Sequence, residues 1–143
     1  MTPYVMRRMH LLVGLLSIVA FLITGFLMSV HVPALSECDP ELRLLYRSRH
    51  VYLMFAGAAN VLLGLYVEES SSKARTLRRV ASGLLLASPA LAVFAFAHDP
   101  KAGALAQAGS GSLAAFAVFG GTLLFLLAEA IARAPARSAR SRP

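Results

Sequence analysis

Residues 11–30 read LLVGLLSIVAFLITGFLMSV, twenty residues without a charge. The hydrocarbon core of a bilayer is about 30 Å thick and a helix rises about 1.5 Å per residue, so roughly 20 apolar residues make one crossing. Strands are far shorter. Three more blocks of this kind follow. Residues 50–67 and 80–97 are uncharged, and residues 112–132 hold a single charge, Glu129, in their last turn. A transmembrane barrel would instead show alternating segments of about ten residues. The expectation is an all-α fold, a four-helix transmembrane bundle. Its helices should lie over about 11–30, 40–67, 80–97 and 112–132, within one domain spanning residues 1–133. Composition points the same way. The chain has 143 residues, 57% of them apolar and 15% charged, with mean hydropathy +0.66. Disordered chains are much less hydrophobic, and a single cysteine excludes a disulfide scaffold. Residues 134–143, made of Arg, Ser, Pro and Ala, read as a disordered basic tail.

Basic residues in short loops stay on the cytoplasmic side and set orientation. With four spans, one side collects Arg7, Arg8, Lys73, Arg75, Arg78, Arg79, Arg133, Arg137, Arg140 and Arg142, against Glu68, Glu69 and Glu129. The other side collects Arg43, Arg47, Arg49 and Lys101 against Glu37, Asp39, Glu41 and Asp99. The first side therefore carries the whole net charge of +7. Both termini are predicted to be cytoplasmic (N-in/C-in). The pI near 10.5 then reports topology and an attraction to anionic lipid headgroups, and nucleic acid is not expected as a partner. Usage rich in Ala and Arg suits a bacterial inner membrane. The first block is longer than a signal core of about 7–15 residues, and Glu37 is the wrong residue before an acylated cysteine, so a retained first helix is expected.

Asp39-Pro40-Glu41 has the grammar of a helix start: Asp as N-cap, Pro at the first helical position, an acid in the first turn. The second helix should begin about ten residues before its apolar part and carry Arg43, Arg47 and Arg49 at the outer headgroup level. Small residues let helix backbones approach in lipid. Gly57 and Gly64 on the second helix, Gly83, Ala87 and Ala90 on the third, Ala117 and Gly121 on the fourth, and Ser17 and Thr24 on the first are candidates for interior faces. Asn60, an amide at mid-membrane, should hydrogen-bond to a neighbouring helix. Glu129 and Arg133, four apart, are spaced for a helical ion pair.

Histidines hold most of the site potential. His31, His50 and His98 fall at one outer level and His10 at the opposite end. Residues seven apart nearly eclipse on a helix. His31 continues the stripe of Ser17 and Thr24, and His50 that of Gly57 and Gly64. Two neutral imidazoles from adjacent helices suit a transition metal or the axial positions of haem. Gly57 below His50 would leave room for a flat macrocycle, and Arg43 and Arg47 would sit where propionates need cations. The candidate cofactor-binding set is therefore His31, His50, Arg43, Arg47 and Gly57, and the candidate metal ligands are His31, His50 and His98. The competing reading is histidine as an amphipathic interfacial residue with no ligand.

A small bundle with helix-borne histidines is similar in outline to bacterial b-type membrane cytochromes. No family motif matches residue by residue, so the likeness implies only a cofactor class, haem b, and electron transfer. No zinc-protease, C-x-x-C or phosphate-loop motif is present, and no catalytic residue is assigned. The alternative is a non-catalytic accessory or assembly protein that uses Gly57, Gly64, Ala117 and Gly121 to pack against itself or a larger membrane partner.

Overall fold

The computed structural model of the chain describes residues 3–66, 74–102 and 109–133. Among these, four long helices follow one another: α1 (Pro3–Ser29), α2 (Pro40–Tyr66), α3 (Arg75–His98) and α4 (Gly109–Arg133). A 3-10 turn, Asp99–Ala102, closes α3, and one wide π turn, Phe116–Gly120, interrupts α4. Helices α1, α3 and α4 are long and apolar enough to cross a membrane. Helix α2 is as long as α1, but its first turns hold three arginines and its middle holds Asn60.

Local chemistry accounts for the ends. At the start of α2 the Glu41 amide donates to Asp39 Oδ1 at 2.8 Å, the side-chain cap that the Asp-Pro-Glu run predicts. At its finish, Arg7 of α1 donates to the carbonyls of Gly64 and Leu65, at 3.2 and 2.9 Å. These carbonyls are the negative end of the helix, and a guanidinium there satisfies acceptors that have no partner within the helix.

Successive helices are antiparallel, and glycines set how closely they pack. A Cβ at Gly14 would lie 2.7 Å from the Val61 amide nitrogen, and one at Gly64 would lie 2.8 Å from that of Leu11. Backbone thus lies on backbone between α1 and α2. Gly121 brings α4 close to α3, where a Cβ would meet the Leu85 side chain at 2.9 Å and the Ala81 carbonyl at 3.3 Å. The buried interior is mostly alanine, including Ala56, Ala81, Ala92, Ala95, Ala114 and Ala128, with Leu45, Leu53 and Leu85. Large apolar residues point outward instead, as Leu12, Leu15, Leu22 and Phe26 do on α1 and Leu113, Phe116, Leu123 and Leu126 on α4. That inversion fits a bundle whose surroundings are lipid and whose helices associate by close packing rather than by escape from water. Helix α3 touches all three of the others, but through the face of Ala81, Leu85, Ser88 and Ala92, so Gly83, Ala87 and Ala90, expected on an interior face, point outward instead.

Candidate functional site: polar ties inside the bundle

The first helix presents a polar stripe at seven-residue spacing, and α2 answers it. His10, Ser17 and Thr24 are all buried. His10 Nδ1 lies 2.6 Å from Asn60 Oδ1, Ser17 Oγ donates to the Leu53 carbonyl at 2.8 Å, and Thr24 Oγ1 lies 2.9 Å from His50 Nδ1. Positions rising on α1 meet positions falling on α2, as antiparallel packing requires.

The deepest tie joins three helices. Asn60 Nδ2 donates to the carbonyls of Ala56 and Leu85, both at 2.8 Å. With the NH2 group committed to two carbonyls, Oδ1 is the acceptor that faces His10. His10 Nδ1 therefore carries the hydrogen, and its Nε2 turns to Ser82 Oγ of α3 at 2.5 Å. Ser82 Oγ also lies 3.3 Å from Met6 Sδ. The Leu85 carbonyl needs a partner because Pro89, four residues later, has no N–H to give it. Asn60 and the Ser88 hydroxyl supply two donors.

A second cluster holds the opposite end. Arg49 of α2 is buried and donates through Nε and Nη2 to Asp99 Oδ2, at 2.8 and 2.7 Å. The Gly111 amide of α4 donates to the same oxygen at 2.9 Å, and the Ser110 hydroxyl donates to Oδ1. Burial pushes the Asp99 carboxyl up, but the bonds from Ser110, Arg49 and the Gly111 amide, with the Arg49 charge, hold it below the ordinary value. A Cβ at Gly111 would land on the guanidinium, so a larger residue there would have to displace Arg49 from Asp99. A third pair, Arg78 of α3 with Glu129 of α4, ties the end where α4 finishes. Arg133, the partner that the four-residue spacing predicts, lies 3.8 Å from the other Glu129 oxygen.

Among the described residues, no metal- or haem-binding cluster is found at the positions expected to hold one. His31 lies beyond the last residue of α1, is bonded to the Pro33 carbonyl at 2.8 Å, and meets the edge of Tyr46. His50 is held by Thr24 and stacks on Phe21 with ring centres 4.1 Å apart. His98 folds back onto Phe94 and bonds its carbonyl at 3.0 Å. No hydrogen bond or ring contact joins any two of the three histidines. Among the described residues, no three His, Cys, Asp or Glu side chains converge on a point that could hold a metal ion. Gly57 is not an open slot: a Cβ there would lie 3.1 Å from Ile18 Cγ1 and 3.4 Å from the Gly14 carbonyl. The space assigned to a macrocycle is filled by α1. Arg47 is exposed and Arg43 half-buried, and neither guanidinium pairs with a described residue. It is the adjacent Arg49 that turns inward. Cys38 is half-buried, with Sγ 4.0 Å from His31 Nδ1.

The glycines proposed for partner packing are also spent inside the chain. Gly57 and Gly64 face α1, Gly121 faces α3, and Ala117 is buried. No known protein family, curated protein or solved structure matches this chain.

Proposed function

We propose that the chain is a four-span inner-membrane protein, with both termini cytoplasmic, that serves as a non-catalytic accessory component. It acts through helix–helix contacts with other membrane-protein chains, its own copies included. The carrying observation is how its polar groups are used. His10, Ser17, Thr24, Arg49, Asn60, Ser82, Ser88 and Asp99 are the buried polar side chains of the described residues, and each is bonded to a neighbouring helix or to a carbonyl of its own. Those groups stabilise the bundle, while the helix surfaces beyond it stay apolar. The fourth span is α2, whose Asn60 is screened from lipid by α1 and α3. The basic excess on one side supports the orientation.

Half-buried Cys38 gives the test. Purification in lipid nanodiscs after cross-linking in intact membranes should return the chain with a stoichiometric membrane protein or with a second copy. Recovery as a monomer with no companion, at native expression, would sink the accessory role.

A further inference from the structure

We propose that His10 is a proton-binding site at the end of the bundle where α1 begins, with Ser82 as a hydroxyl switch between two fully bonded states. This goes beyond the accessory role and does not depend on it.

Geometry carries the inference. Because Asn60 Nδ2 is committed to two carbonyls, the His10 Nδ1 hydrogen is retained in either state. In the neutral state His10 Nε2 is a bare acceptor and the Ser82 O–H donates to it. On protonation Nε2 gains a hydrogen and donates to Ser82 Oγ. The Ser82 hydrogen then needs a new acceptor, and Met6 Sδ stands 3.3 Å away. One hydroxyl rotates, one proton is taken up, and no donor loses an acceptor. A buried polar group left without a partner is costly, and a site satisfied in both protonation states avoids that cost in each. His10 lies about 10 Å along α1 from its first residue, within reach of the headgroup region.

Among the described residues, the charged groups near the site are engaged or exposed. On α1, Arg7 is bonded to the α2 carbonyls, and exposed Arg8 lies over the Tyr4 ring. Helix α2 has no titratable side chain between Tyr52 and Tyr66. On α3, Arg78 stands one turn before Ser82 and is paired with Glu129 of α4. Arg75 and Arg79, at the start of the same helix, are exposed, and among the described residues Glu129 is the one acid at this end.

The test is nitrogen NMR of histidine-labelled full chain in lipid nanodiscs, with the His10 signals assigned by their loss in His10→Gln. At neutral pH the hydrogen should sit on Nδ1. On acidification Nε2 should gain one while the helices stay packed. Met6→Leu should leave the neutral tautomer unchanged and weaken proton binding about threefold, the effect expected for a charged state that lacks one weak acceptor. A hydrogen on Nε2 at neutral pH would overturn the proposal. So would a His10 that stays neutral until the bundle unfolds, or a titration identical in Met6→Leu and the parent.

Discussion

Asn60 compensates for Pro89. The proline removes the amide that would have bonded the Leu85 carbonyl, and Asn60 Nδ2, from the neighbouring helix, donates to that carbonyl at 2.8 Å. A kink-prone position of α3 thereby becomes an attachment point for α2, and the same amide fixes the tautomer of His10. One side chain joins three helices in a setting where single interhelical hydrogen bonds contribute about 0.6 kcal/mol on average.

The coupling is measurable. Asn60→Ala should destabilise the bundle by about 2 kcal/mol, because it leaves the His10 N–H and the Leu85 carbonyl short of partners. Pro89→Ala restores an amide donor to Leu85, so in the double variant the loss should be smaller than in Asn60→Ala alone. A double-mutant cycle of unfolding in bicelles reads the interaction directly, and strict additivity would show that the two residues are independent.

Glycine substitutions separate contact from open space. Gly64→Val and Gly14→Val should each cost about 2–3 kcal/mol, since a Cβ at either site meets backbone of the opposing helix. Gly83→Ala should change stability by less than about 0.5 kcal/mol, because nothing lies within 4 Å of its added methyl. Thermal unfolding of the three variants in one lipid mixture checks the contrast.

The Arg49–Asp99 pair predicts a pH dependence of known sign. The folded carboxyl titrates below its ordinary value, so the folded state holds this proton less tightly than the unfolded state does. Its stabilisation is complete above about pH 4, the ordinary carboxylate range, and is lost as pH falls further, through the folded-state value. Asp99→Asn should flatten that acid limb of the stability curve. Asp99→Ala should cost about 3 kcal/mol or more at neutral pH, because it leaves Arg49 buried without its carboxylate. An unchanged acid limb in Asp99→Asn would assign the acid sensitivity elsewhere.

Haem offers a plain spectroscopic check. The chain purified from haem-replete cells should show no Soret band, and His31→Ala and His50→Ala should leave its absorption unchanged. A red preparation that bleaches in either variant would restore the cytochrome reading.

Much of the architecture was readable from periodicity. The uncharged block at 11–30 lies almost wholly within α1, and Asp39-Pro40-Glu41 marks the start of α2. Ser17 and Thr24, seven apart, are buried as their stripe implies. The same stripe fails at His31 for a physical reason: α1 ends at Ser29, and an eclipsed position exists only where the helix continues. Extended the other way, the stripe reaches His10, where the strongest tie is found. Its partners could not be read from one chain, because the register of α3 against α1 is set by three-dimensional packing. Asp99 and Arg49, fifty residues apart, are hidden by the same limit. Gly57, Gly64 and Gly121 are close-approach positions as expected and Gly83 is not, and spacing alone does not tell room for a ligand from room for a backbone. Gly57 made that distinction only once Ile18 and Gly14 were seen opposite it.

The account rests on α2 crossing the bilayer alongside its three more apolar neighbours, and labelling of its two flanks tests this most directly. Cys38 precedes α2, and a cysteine placed by Ser71→Cys in a Cys38→Ser background follows it. In intact cells a membrane-impermeant maleimide should modify Cys38 and should reach the cysteine at position 71 only after permeabilisation. Modification of both from the same side would contradict the four-span arrangement.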